Sequence, residues 1–160
     1  MQKIVTNLWF DTEAEEAAKY YTSIFKNSRI TNVTHYGEAG PREAGMVLTA
    51  TWEIEGQQFT GINGGPEFKF DEAISLLVNC ESQEEVDELW DKLSEGGEEG
   101  QCGWLKDKFG LSWQIVPVVF EELVTDPDPA KADRVMKAML QMKKLDIEAL
   151  NRAAEGQPVG

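Results

Sequence analysis

The strongest constraint in this sequence is an internal duplication. Thr12 with Glu15 and Ser82 with Glu85 are two capping boxes, set 70 residues apart, each following a short apolar run. Tyr21 and Trp90 fall 69 apart, at equivalent places on the amphipathic stretches that follow. In the first stretch Ala14, Ala17, Ala18, Tyr21 and Phe25 recur at helical spacing. In the second, Val86, Leu89, Trp90 and Leu93 do so, up to Gly96-Gly97. A strand, a helix and then strands, given twice, predicts duplicated βαβββ modules rather than an alternating parallel sheet.

The strands are marked by alternation and turns. Ile4 to Phe10 opens the first module, followed by Arg29 to Tyr36. Over Met46 to Ile54, Leu48, Ala50, Trp52 and Ile54 share one face, while Val47, Thr49, Thr51 and Glu53 share the other. Glu55-Gly56 is a tight turn into Gln57 to Ile62, so a hairpin is expected. After Asn63-Gly64-Gly65-Pro66 the second module runs through Ala73 to Asn79. It continues with the Trp104 to Asp107 and Ser112 to Val116 hairpin around Phe109-Gly110, and any further strand falls in Glu98 to Cys102. Past Pro117 a helix is predicted over residues 130–144, with a last short helix, capped by Asp146, carrying Ile147 and Leu150. The fold class is therefore α+β, with modules at about 1–65 and 70–118 in a domain of residues 1–118, and a helical extension over 119–160.

Charge narrows the partners. Fifteen Lys and Arg against twenty-nine Asp and Glu leave a net charge of −14, which opposes phosphate backbones, so no nucleic-acid partner is expected. The apolar runs, such as Ile115 to Phe120, are too short to span a bilayer, and no signal peptide or lipid anchor is expected. Two cysteines, Cys80 and Cys102, in no metal-binding pattern point to reduced thiols and a cytoplasmic location. No GxxxxGK[ST] loop occurs, nor a GxGxxG between a strand and a helix. Gly97, Gly100 and Gly103 sit instead in an acidic loop that repels phosphate. His35, the only histidine, has no nucleophile and carboxylate beside it in sequence and reads as a strand residue.

The stretch Cys102-Gly-Trp-Leu-Lys-Asp-Lys-Phe-Gly-Leu-Ser-Trp-Gln-Ile-Val-Pro117 packs aromatic and polar residues around a glycine turn. Gln114, inside an apolar strand, is either satisfied by neighbouring backbone or orients a ligand. With Leu8-Trp-Phe-Asp11, Tyr20-Tyr21 and Cys80…Trp90, this stretch resembles the PhnB-like family of the vicinal oxygen chelate superfamily, the glyoxalase/bleomycin-resistance fold. The resemblance covers residues 2–117. It implies paired modules forming a curved mixed sheet with outer helices, a ligand held in the cup of the sheet, and a homodimer. Family members often carry the name 3-demethylubiquinone 3-methyltransferase, an activity for which this sequence has no adenosyl-cofactor motif.

In metal-using relatives four strands each present a ligand. Aligned by turns, those places fall on Val5, Phe59, Ala73 and Gln114. The first three carry no metal-binding side chain, so the resemblance implies the fold without the metal chemistry. The expectation is a small-molecule-binding protein with no metal or cofactor. Its ligand-binding residues would be Asn7, Trp9, Phe59, Asn63, Ser75, Trp104 and Gln114. The alternatives are a cofactor-free lyase, isomerase or transferase, with Lys106 and Asp107 as its ionisable residues, and a protein–protein interaction role. The helix over residues 130–144, with Val135, Met136, Met139, Leu140 and Met142, either covers its own chain or bridges a dimer.

Overall fold

A computed structural model describes residues 2–158. The chain divides into two compact units, residues 1–70 and 71–160.

The first unit holds β1 (Thr6–Phe10), α1 (Ala14–Ile24), β2 (Ser28–His35), β3 (Val47–Ile54) and β4 (Gln57–Asn63). Its sheet runs β1-β4-β3-β2, with β1 and β4 parallel and the other pairs antiparallel. Glu55 (φ 50°) and Gly56 (φ 80°) form the expected hairpin turn, both at the positive φ that matches strand twist. Helix α1 packs Ala14, Ala17, Ala18 and Tyr21 against the sheet, where Trp52 stacks on Phe59 at 5.9 Å between ring centroids. Gly61 permits this approach. A Cβ there would lie 3.1 Å from Phe10 and 3.2 Å from the Ala14 methyl.

The start of α1 differs from the sequence expectation. Thr12 does not cap it. Glu13 occupies the N-cap without a side-chain bond, and the Ala14 amide donates instead to Oδ1 of Asn63 at 2.9 Å. A carboxamide from β4 thus satisfies the first helical amide, and the helix begins one residue later than a Thr12–Glu15 box requires.

The second unit repeats the order with β5 (Ser75–Cys80), α2 (Gln83–Ser94), β6 (Glu98–Glu99), β7 (Trp104–Lys106) and β8 (Ser112–Pro117). The sheet runs β5-β8-β7-β6, with β5 and β8 parallel and the other pairs antiparallel. Each module therefore builds its own mixed four-stranded sheet. The hydroxyl arm of the second capping box forms as the sequence indicates, with Ser82 Oγ accepting from the Glu85 amide, while the Glu85 carboxylate reaches one residue further back and accepts from the Glu81 amide. Cys80 is fully buried on the helix side, and desolvation pushes its thiol up to about 12.

Three helices complete this unit: α3 (Val118–Val124), α4 (Pro129–Met139) and α5 (Ile147–Ala154). The sequence reading did not anticipate α3, and it carried α4 five residues too far. Backbone geometry explains the early stop, because Met142 and Lys143 give their carbonyls to the Cys102 and Gly103 amides, both at 2.8 Å. Val135, Leu150 and Ala154 form a core joined by Phe120, Leu123, Val124, Met139 and Met142. Much of the apolar side of α4 thus covers its own chain, while Met136 and Leu140 stay exposed.

Candidate functional site

Strand register decides which side chains face α1 or α2 and which face away. In the first unit Leu8 pairs with Gly61 and Phe10 with Asn63, all on the α1 side. The opposite face carries two rows across the strands. One is Asn7, Thr60, Thr51 and Asn32; the other is Trp9, Ile62, Thr49 and Thr34. Thr34 and Thr49 share a hydroxyl hydrogen bond of 2.6 Å, and Thr51 and Thr60 one of 3.0 Å. No ionisable residue stands in either row.

Trp9 is held by the loop after β4. Its Nε1 donates to the Gly65 carbonyl at 2.9 Å, and Phe68 meets its ring edge-on at 4.9 Å. The indole lies so close to Gly64 that a Cβ there would sit 2.3 Å from it. Asn7 is exposed and donates to the Val5 carbonyl.

Two of the expected ligand-binding residues lie elsewhere. Phe59 and Asn63 face α1, not the polar side: Phe59 is 7% exposed against Trp52, and Asn63 is 1% exposed. Besides accepting from Ala14, Asn63 donates to the Val47 carbonyl, and its own carbonyl accepts from the Tyr36 hydroxyl. The physical reason is register. Phe59 pairs with Trp52, so residues 59, 61 and 63 share the core face, and Thr60 and Ile62 take the polar one. Val5 and Ala73 precede their strands, leaving Asn7 and Ser75 as the nearest strand positions on the polar faces.

In the second unit the face away from α2 presents Ser75, Ser112 and Lys106 in one row. Leu77, Gln114 and Trp104 form the next. Gln114 Nε2 donates to Ser75 Oγ at 2.9 Å, so a side-chain hydroxyl, not backbone, satisfies this amide. Lys106 pairs with Glu72. Their mutual hydrogen bond holds the ammonium above, and the carboxylate below, its ordinary pKa.

Asp107 is not a partner for Lys106. It is 2% exposed, and its carboxylate accepts from the Phe109 amide (2.9 Å), the Leu111 amide (3.1 Å) and Trp113 Nε1 (2.9 Å). It shapes the β7–β8 turn. His35 is an exposed strand residue. Ser112 and the threonine pairs escaped notice as candidates, although the alternation of Thr49 and Thr51 against Ala50 and Trp52 already separated the faces.

The polar-face positions nearest the four expected metal-ligand places offer only amides, hydroxyls and apolar groups: Asn7, Thr60, Ile62, Ser75, Leu77 and Gln114. That donor set does not fit a divalent transition metal. Among the described residues no three His, Cys, Asp or Glu side chains group as metal ligands.

Residues 2–116 match the family described as 3-demethylubiquinone-9 3-methyltransferase. A PhnB protein from Bacillus cereus carrying that description is 40% identical, over 73% of this chain and 100% of its own, with a TM-score of 0.67. A Pseudomonas aeruginosa protein is 20% identical over 73% of this chain and 98% of its own, with a TM-score of 0.60. A single-residue mutant of the fosfomycin resistance protein FosX of Listeria monocytogenes, in complex with Mn(II) and a dihydroxypropylphosphonic acid, is 14% identical. It aligns over 77% of this chain and 99% of its own, with a TM-score of 0.50. These last two likenesses concern the fold alone. No curated protein matches the sequence. A 40% identical relative covered along its whole length, and a family match over most of the chain, settle the assignment: this chain belongs to the PhnB-like, 3-demethylubiquinone-9 3-methyltransferase family.

Proposed function

We propose that this protein binds a small, partly aromatic or apolar organic molecule without a metal ion, on the polar faces of its sheets. The observation that carries this reading is the Gln114–Ser75 pair beside Trp104. It is an oriented amide and hydroxyl next to an aromatic wall, at a position where metal-using relatives place a ligand. Asn7 and Trp9 give the first unit a matching amide and indole. Among the described residues no three His, Cys, Asp or Glu side chains group to hold an ion such as the Mn(II) of the FosX complex, which supports this reading.

Methyl transfer, named in the family description, is not part of the proposal. The turns that enter both helices, Asp11-Thr12-Glu13 and Glu81-Ser82, lack the glycine-rich strand-to-helix sequence of nucleotide-cofactor folds. A homodimer in the cytoplasm completes the proposal. Exposed Ile4 and Phe68 of the first unit, and Ile74 and Leu77 of the second, offer apolar surface for a second copy. No helix among the described residues is long and apolar enough to cross a membrane.

Trp9 and Trp104 provide the test. In a metabolite screen read by tryptophan fluorescence with EDTA present, compounds that quench the wild-type protein should bind Gln114→Ala about tenfold more weakly. Equal binding by Gln114→Ala, or quenching that appears only when a divalent metal is added, would refute the proposal.

A further inference from the structure

Ser112 Oγ is the single buried side-chain oxygen or nitrogen without a hydrogen-bond partner among the described residues, and Ser112 is only 1% exposed. A buried hydroxyl left unmatched costs free energy and calls for an explanation. Its surroundings supply one. Ser112 stands on the polar face of β8, between Ser75 and Lys106 in register, with Gln114 next along the same face. Gln114 already spends an amide N–H on Ser75, leaving its amide oxygen as an acceptor.

Charge limits what these groups can hold. Lys106 is bound to Glu72, and Glu98 and Asp71 also act on it, so it offers no spare positive charge to an anion. The chain as a whole, at −14, repels anions at long range. A cation there would face the Lys106 ammonium, with the Glu72 carboxylate already paired to it, and otherwise only hydroxyls and an amide.

We infer that the ligand of this face is an uncharged, oxygen-bearing organic molecule, whose carbonyl or hydroxyl oxygen pairs with Ser112 while its apolar part lies against Trp104. The inference rests on the small-molecule reading above and adds its chemical class. Ser112 is 1% exposed, so neighbouring side chains must part for the ligand to reach it.

Benzamide, benzoate and benzylammonium carry one ring with neutral, negative and positive groups. Each is titrated to millimolar concentration into the whole chain and followed by backbone amide NMR shifts. Benzamide should move the signals of Ser75, Trp104, Ser112 and Gln114, and the two ions should not. Ser112→Ala should weaken benzamide about tenfold while raising the melting temperature of the ligand-free protein by about 2–4 °C, because an unmatched hydroxyl is gone. Either ion binding as well as benzamide would overturn the charge assignment and leave small-molecule binding intact. Shifts from none of the three would overturn both. Undiminished benzamide binding by Ser112→Ala, or a lower melting temperature, would overturn the role of Ser112.

Discussion

Replacing Asp107 with alanine is expected to destabilise the second unit by about 3–4 kcal/mol and to lower its melting temperature by about 10 °C. The carboxylate accepts from two backbone amides and the Trp113 indole in a buried turn. Alanine leaves all three donors unmatched, and each loses a bond to a charged acceptor. Asp107→Asn should cost less, since it keeps the shape and one acceptor oxygen but points an N–H at a donor. Urea unfolding followed by Trp113 fluorescence reads both. A cost below about 1 kcal/mol for Asp107→Ala would show that the turn is held by something else, and would reopen a chemical role for the carboxylate.

The second large effect is expected at Asn63. Its side chain accepts from the Ala14 amide at the start of α1 and donates to the Val47 carbonyl, in a site 1% exposed. Asn63→Ala should therefore cost about 2–3 kcal/mol, combining a lost helix cap with a buried carbonyl stripped of one donor. Thr12→Ala is the control. It should change stability by less than about 0.5 kcal/mol, because the Thr12 hydroxyl caps nothing. Chemical denaturation of the two variants side by side decides the matter. A larger loss for Thr12→Ala than for Asn63→Ala would contradict the cap assignment.

That pair of variants also marks where sequence reasoning stopped. The Ser82–Glu85 box was legible because its hydroxyl, amides and carboxylate lie within five residues. The Thr12–Glu15 box has the same spelling, yet the helix begins one residue later, at Glu13, with its first amide held by a side chain 49 residues away. Local spelling carries no trace of that competition. Phe59 and Asn63 went to the wrong face for a related reason. The period of a strand is two, so a one-residue offset in alignment inverts every side chain, and only the pairing of Phe59 with Trp52 fixes the offset. Gln114 and Ser75 were placed correctly on the polar face, but the bond between them belongs to neighbouring parallel strands and could not be read from either one. The run Val118-Val-Phe-Glu-Glu-Leu-Val124 is rich in β-branched residues that do not favour a helix. Its Phe120, Leu123 and Val124 are held by packing on the C-terminal core.

The central claim is that a small organic molecule is bound without metal, and native mass spectrometry of protein freshly purified from cells tests it most directly. The predicted spectrum shows an organic adduct that survives treatment with EDTA and is lost in Gln114→Ala, with no metal-mass adduct on the chain. A stoichiometric metal adduct that EDTA removes, taking the organic molecule with it, would contradict the account.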